Sequence, residues 1–270
     1  MKTLRTIAEL ERALEPVRPS GELGLVPTMG AFHAGHQALV EAALAENNFV
    51  VVTLFVNPTQ FGPKEDFQMY PRSEETDLRL AKRWGVHYVF VPSAEELYPK
   101  GFQTWIETGE LAEGLEGAAR PGHFRGVATV CLKLFNLVRP RRAYFGQKDA
   151  QQAAVVEQLV RDLNVPVEIC LVATVRDGDG LASSSRNAML SEDEREAARA
   201  LPRALEAGAE AHRRGRDAAD AARAVLARER RLEPDYVEIA RLNGRTYLLV
   251  AVRAGRTRLI DNVVLEGEKQ

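Results

Sequence analysis

Apolar positions set two different rhythms along this chain. In the first, Ile7, Leu10 and Leu14 fall at helical spacing within residues 4–14, and residues 23–26 form a strand-like run after a turn at 16–21. A helix follows His36, with Leu39, Val40, Ala43 and Leu44 on one face, and ends near Asn47 and Asn48. Residues 49–56 are apolar on both faces, the pattern of a buried strand in a parallel sheet. Ser73, as N-cap, with Glu74 and Glu75 opens a helix reaching about Trp84, and residues 87–92 give a third strand. This β-α-β-α-β order predicts a Rossmann-like, doubly wound α/β sheet. Further on, residues 104–108 are a short candidate strand and 111–126 are glycine-rich and irregular. Residues 127–138 read as a buried helix, 142–146 as a strand ending in Gly146, 149–163 as a helix and 167–175 as a last strand.

The rhythm changes after residue 175. Asp177-Gly178-Asp179-Gly180 reads as a flexible break and a hinge, continued by Ser183-Ser184-Ser185-Arg186-Asn187. Ser191 and Glu194 form a capping box for one long helix to Gly215, and Asp217 opens another to about Arg231. Short strands at 236–240, 247–252 and 258–264 follow. Two domains are expected: a Rossmann-like domain over residues 1–175 and a smaller α+β domain over 176–270.

Composition narrows the function classes. With 270 residues, 45% hydrophobic and 27% charged, the chain has the make-up of an ordinary globular protein. A net charge of −2 excludes a global basic field for nucleic acid or anionic membranes, so any anion site must be local. Cys131 and Cys170 sit in apolar runs, as buried free thiols of a reducing compartment do. No charged-then-apolar leader is seen, and no apolar run reaches the roughly 20 residues of a membrane span, so a cytoplasmic location is expected.

Five stretches carry candidate chemistry. In Val26-Pro27-Thr28-Met29-Gly30-Ala31-Phe32-His33-Ala34-Gly35-His36, a strand meets a helix through a small-residue turn. Outward-facing backbone N–H groups and the helix dipole are expected to suit phosphate there, with His33 and His36 adding donors. The alternative is a tight turn that needs Gly30 and Gly35 for backbone reasons. Zinc fits poorly, since no cysteine or acid lies near. Asn57-Pro58-Thr59-Gln60-Phe61 follows a strand's C-terminal end, where open parallel sheets bind ligands, and Gln60 can both donate and accept. Phe145-Gly146-Gln147-Lys148-Asp149-Ala150-Gln151-Gln152 is another strand end meeting a helix start. Lys148 there is a compact cation and Gln152 lies one turn on, unless Asp149 is only an N-cap beside a solvated lysine. The loop from Arg176 to Asn187 is either a linker or a wrap for a triphosphate. Arg120, His123 and Arg125, in a Gly/Pro segment, either face an anionic substrate or form a surface loop. Four of these five stretches lie at strand ends or loops on what should be one edge of the sheet.

With these motifs in order, the chain resembles the pantoate–β-alanine ligase family. The resemblance spans nearly the whole sequence. It rests on Pro27-Thr28-Met29-Gly30, His33-Ala34-Gly35-His36, Phe55-Val56-Asn57-Pro58-Thr59-Gln60-Phe61 and Tyr70-Pro71-Arg72. It continues through Pro121-Gly122-His123-Phe124-Arg125-Gly126-Val127, Phe145-Gly146-Gln147-Lys148-Asp149, Gly180 to Asn187 and Leu259-Ile260-Asp261-Asn262. More widely, it is similar to the nucleotidylyl-transferase superfamily, which shares the His-x-Gly-His turn with class I aminoacyl-tRNA synthetases.

The resemblance implies an ATP-dependent ligase that condenses (R)-pantoate with β-alanine to pantothenate through a pantoyl adenylate. AMP and diphosphate are released, and Mg²⁺ accompanies ATP. It implies an ATP site lined by Met29, Gly30, Ala31, Phe32, His33, Ala34, Gly35 and His36. Gly146, Gln147, Lys148, Asp149, Val175, Ser183, Ser184, Ser185 and Arg186 complete that site. His33, His36, Lys148 and Arg186 are the implied catalytic groups. Gln60 and Gln152 would grip pantoate, Gln60 also meeting β-alanine, and Asp77 is the implied Mg²⁺ contact. Residues 1–175 would bind ATP and pantoate, residues 176–270 would act as a lid, and the chain would form a homodimer. Serine at 183, where methionine is common, implies a nucleotide contact made mostly by backbone. Gln147 stands where glutamate is frequent, and Ala150 where an aromatic is frequent. Two competing functions keep the histidine turn: a nucleotidylyl transferase that stops at a nucleotidyl product, and a nucleotide-binding module without turnover.

Overall fold

The computed structural model describes residues 1–20, 22–62, 67–68 and 70–266. Its first part contains β1 (Lys2–Leu4), α1 (Ile7–Leu14), β2 (Leu23–Thr28), α2 (Ala34–Glu46), β3 (Phe49–Leu54), α3 (Glu74–Arg83) and β4 (Tyr88–Phe90). It continues with α4 (Ala94–Leu97), α5 (Glu116–Ala119), α6 (His123–Val138), β5 (Arg142–Gly146), α7 (Ala150–Asp162) and β6 (Glu168–Val172). The second part contains α8 (Glu192–Ala198), α9 (Ala200–Arg213), α10 (Ala218–Leu226), β7 (Leu232–Leu242), β8 (Arg245–Ala254) and β9 (Thr257–Glu266). By contacts the chain divides into one unit of Met1–Gln147 with Gln151–Val172, and another of Lys148–Ala150 with Ala173–Gln270.

In the first unit six parallel strands run in the order β1-β4-β3-β2-β5-β6. Alternation along the strands explains why β3 is apolar on both faces. Leu25 and Val51 join Leu10, Leu14, Leu134, Phe135 and Val156 in one core, on the α1, α6 and α7 side. Val26, Val50 and Val52 point the other way and pack with Val40, Ala43 and Ala81 of α2 and α3. The strand order reverses between β2 and β5, and open α/β sheets bind ligands beyond the carboxyl ends of strands at such a point. Leu25 is level with Ala143, so Thr28 and Gly146 close the two strands side by side.

The second unit is a β7-β8-β9 antiparallel sheet with helices on one face. Leu201, Leu205 and Leu226 of α9 and α10 pack on Leu248, Val250 and Val252 of β8. Gly208 allows this approach, because a Cβ there would lie 2.3 Å from Leu248.

Several local expectations are corrected. The N-terminal residues form β1, a three-residue edge strand, before a helix that starts only at Ile7 behind the Thr6–Glu9 capping box. Residues 104–108 are in no strand among the described residues. Ser73 sits at the N-cap of α3, but its side chain makes no cap hydrogen bond. The single helix expected over 191–215 is two, α8 and α9, parted at Arg199. Pro202 in the first turn of α9 is the cause in the sequence: a ring without an N–H fits a first turn but not a helix interior. The Ser191–Glu194 capping box stands as expected.

Candidate active site

In the first unit, the loop after β2 is built on backbone shape. Gly30 has φ +84° and Ala31 φ +52°, two successive residues in the left-handed region. Five N–H groups of this loop are engaged from within. Gly30 donates to Thr28 Oγ1 (3.2 Å), Ala31 and Phe32 to the Asp77 carboxylate (2.8 Å each), and His33 to His36 Nδ1 (3.3 Å). Gly35 donates to His33 Nδ1 (3.1 Å), so His33 caps α2 with its own ring. The expected cradle of outward-facing N–H groups is therefore narrowed by these five. Internal acceptors hold these donors, and what the turn presents is imidazole.

The same bonds fix the rings. Both Nδ1 atoms accept a backbone N–H, so a neutral His33 and a neutral His36 each carry their proton on Nε2. The ring centroids are 4.1 Å apart, and Phe32 packs between His36 (5.3 Å) and Trp84 (5.1 Å). Two Nε2–H donors held this close are suited to an anion with several oxygens.

Asp77, the implied Mg²⁺ contact, lies under the histidine turn. It is 3% exposed, and each carboxylate oxygen already accepts a backbone N–H. Among the described residues no group of three or more His, Cys, Asp or Glu side chains is arranged to hold a metal ion.

After β3, Asn57 organises the second loop. Its Oδ1 accepts from Thr59 Oγ1 (2.9 Å) and Tyr98 OH (3.0 Å). Its Nδ2 donates to Gly126 O (3.2 Å) and to Gln60 Oε1 (3.1 Å). Gln60, 7% exposed, then points Nε2 toward Met29 Sδ (3.2 Å). The carbonyl of Gln60 accepts His123 Nδ1–H (2.9 Å), while Arg120 donates to His123 Nε2 (3.1 Å). The Arg120–Arg125 segment thus splits. Arg120 and His123 support the Gln60 loop, whereas Arg125 turns to Glu107 (2.5 Å) and lies over the Trp105 ring (4.4 Å). Asn57, Arg120 and His123 act on the loop through tertiary bonds that sequence alone did not assign.

Gly126, read as part of an irregular loop, lies inside α6. A Cβ there would meet Thr59 O at 2.4 Å and Gln60 Cα at 2.7 Å. Gly126→Ala is therefore expected to cost about 1–3 kcal/mol of stability, the usual penalty of overpacking against backbone. Urea denaturation checks this, and an unchanged midpoint would mean that the 58–60 loop yields freely.

Of the paired glutamines, Gln151 is a latch. It is 4% exposed and bonds Leu111 O (2.8 Å), Gly114 O (2.9 Å) and Glu116 N–H (2.9 Å). Gln152 is half-buried on α7, and Gly146 and Gln147 follow directly from β5.

In the second unit, Lys148 and Asp149 belong to a short 3₁₀ turn, and Asn262 Nδ2 holds Lys148 O at 2.8 Å. Arg176 donates to both oxygens of Asp261 (2.7 and 3.3 Å), which also accepts the Asn262 N–H (2.8 Å). Burial pushes the Asp261 carboxyl above its ordinary range, and Arg176, the Asn262 N–H and the Lys148 charge pull it back only in part.

The stretch from Asp177 to Gly180, expected to be a flexible break, is a closed turn. Gly180 N–H reaches Asp177 O (2.9 Å), Asp177 N–H reaches Leu181 O (2.8 Å), and Ser183 N–H reaches Val175 O (2.9 Å). Arg195 bonds both Asp179 (2.7 Å) and Asp177 (3.0 Å). Burial would raise the Asp177 carboxyl, but hydrogen bonds from Ser183, Asn187 and Arg195 outweigh it and hold it below the usual range. The Ser183 hydroxyl is thus turned inward onto Asp177, leaving backbone as what it can offer a ligand. Ser184 caps a 3₁₀ helix, Ser185–Met189, through the Arg186 N–H (3.3 Å), which sets the base of the Arg186 side chain.

The family model for pantoate–β-alanine ligase matches residues 2–264. Pantothenate synthetase from Chloroflexus aurantiacus is 53% identical over 282 residues, covering 99% of each chain. The enzyme of that name from Moorella thermoacetica is 49% identical over 98% of this chain and 99% of its own. Among solved structures, pantothenate synthetase from Thermus thermophilus superposes with a TM-score of 0.94 at 47% identity, covering 98% of this chain and 99% of that one. Pantoate–β-alanine ligase from Francisella tularensis, solved with beta-gamma ATP and β-alanine, gives 0.85 at 34% identity and covers 98% of both.

Proposed function

The chain belongs to the pantoate–β-alanine ligase family, and from that premise we propose that it joins pantoate to β-alanine through a pantoyl adenylate. The observation that carries this function is the match over residues 2–264, with the histidine turn at the sheet's switch point. A carboxylate is a poor acyl donor, and a mixed anhydride with AMP is a good one. One carboxylate oxygen of pantoate attacks the α-phosphorus of ATP, and diphosphate leaves. The amine of β-alanine then attacks the carbonyl carbon, the amide forms, a proton is lost from nitrogen, and AMP departs with the bridging oxygen.

The residues supply position and charge rather than a covalent intermediate. His33 and His36 donate Nε2–H to phosphate oxygens as negative charge shifts to diphosphate. Lys148 and Arg186 add cationic donors, Ser184 and Ser185 add hydroxyls, and Ser183 and Val175 add backbone contacts. Met29 to Phe32, with Ala34 and Gly35, wall the nucleotide, and Gly146, Gln147 and Asp149 meet the nucleoside. Gln60 presents Nε2 to pantoate or β-alanine, and Gln152 takes pantoate's other polar groups. Residues 1–175 would hold ATP and pantoate, and residues 176–270 would serve as lid. Mg²⁺ would arrive on the triphosphate and neutralise its charge. Among the described residues no group of three or more His, Cys, Asp or Glu side chains is arranged to hold it.

The same proposal includes a homodimer, which sedimentation equilibrium decides, and a cytoplasmic location. Two observations support that location: no described helix is long and apolar enough to cross a membrane, and Cys131 and Cys170 are free thiols. The test of function is exchange of labelled diphosphate into ATP. Exchange that needs pantoate but not β-alanine is expected. Exchange without pantoate, or a product that keeps AMP bound, would favour a nucleotidylyl transferase instead.

A further inference from the structure

We infer that Asp77 is a positioning residue, a carboxylate clamp that holds the histidine turn in its left-handed shape by taking the N–H groups of Ala31 and Phe32. This rests on the functional proposal above for its catalytic consequence, though not for its geometry.

Ala31 is the strained member of the turn. A residue with a Cβ resists φ +52°, and it stays there only where its surroundings over-determine it. The two bonds from Asp77, both 2.8 Å, supply that constraint from a residue 46 positions away. Only a carboxylate does this with both oxygens. An asparagine would offer one acceptor and turn an NH₂ group against the second N–H. Gly30 is part of the same device: a Cβ at that position would sit 2.9 Å from Asp77 Oδ2.

The clamp fixes more than two amides. Phe32 follows Ala31, and its ring lies against Trp84, the C-cap residue of α3, and against His36. One helix thus grips the turn twice, at the backbone through Asp77 and at the Phe32 ring through Trp84. His33 and His36 inherit their placement from both. The clamp also withdraws two N–H groups from any phosphate, so the nucleotide meets imidazole edges at this wall. Asp77 touches no reacting atom in this account, and its effect passes through the turn.

Three variants test the clamp: Asp77→Asn, Asp77→Ala and the double variant Asp77→Ala with Ala31→Gly. Asp77→Asn is expected to slow pantoate-dependent diphosphate exchange about 100-fold, the scale of a 1 Å misplacement, with amide formation from added pantoyl adenylate changed less than about threefold. Adding Ala31→Gly to Asp77→Ala is expected to recover about fivefold, because glycine adopts the left-handed shape without the clamp. A merely structural role would lower both half-reactions together and give no recovery, and that result overturns the inference. So does exchange within about threefold of wild type in a folded Asp77→Asn protein. Hydrogen exchange of the wild-type protein needs no variant. The Ala31 and Phe32 amides should be protected like those of β2, and unprotected amides would overturn the clamp. If the wild-type protein shows no pantoate-dependent exchange, the functional proposal fails, and the amide measurement alone decides the clamp.

Discussion

Lys148→Ala is expected to slow pantoyl adenylate formation by about 10²–10³-fold, the usual loss when one preorganised charge-stabilising donor is removed. Pantoate's own KM should change only a few fold, because the lysine acts on phosphate oxygens in this account. The backbone carbonyl of Lys148 is tied to Asn262, and the lysine's charge lies close enough to Asp261 to pull that carboxyl down. Truncation leaves the Asn262 bond in place, since that bond is to backbone, so the melting temperature should hardly move. Diphosphate exchange at saturating ATP, with a thermal melt alongside, checks both parts. Unchanged exchange would remove Lys148 from the mechanism, and a collapsed melt would make its role structural.

Arg176→Ala is the second large effect, and it should depend on pH. Asp261 has a side chain with no exposure, and its bidentate partner Arg176 is 36% exposed. Removing one member of a buried pair leaves an uncompensated charge, at a cost of about 3 kcal/mol, the lower end of the usual range because Arg176 is partly solvated. The sign of the pH dependence follows from the raised carboxyl. As pH rises, the unfolded chain loses the Asp261 proton near the ordinary value, while the folded chain keeps it to a higher pH. This group's contribution to stability is therefore greatest below the ordinary value and declines as pH climbs through the folded one. Deleting Arg176 removes a group that lowers the folded value, so the window widens. The variant should lose more stability at pH 8 than at pH 5, where the carboxyl can stay buried as the neutral acid. Urea denaturation at both pH values measures it, and equal losses would contradict the account. Asp261→Asn should lose less than Arg176→Ala at pH 8 and show little change with pH.

These residues also show where sequence reading stops. The strands of the first unit were legible because each is an apolar run, and a parallel sheet buried on both faces needs such runs. β1 was not, because Lys2-Thr3-Leu4 is too short to carry a pattern, and only pairing with β4 makes it a strand. Gly126 misled because a glycine in a loop and a glycine under a close backbone contact look alike in sequence. Pro202 marks the break between α8 and α9 in the sequence itself. The histidine turn was found as a place but misread in its wiring, since the acceptor for two of its N–H groups sits on α3. The late motif at Asp261 and Asn262 carried no chemistry in sequence. Its partners, Arg176 and Lys148, lie 85 and 114 residues away, and folding alone brings them together.

If pantoate is activated by joining AMP, its two carboxylate oxygens must part company between the products. With pantoate labelled by ¹⁸O in both carboxylate oxygens, one turnover with ATP and β-alanine should leave one ¹⁸O in pantothenate and one in AMP. None should appear in diphosphate. AMP free of ¹⁸O, or label in a phosphate or diphosphate product, would contradict the adenylate and with it the roles given to the histidine turn and Lys148.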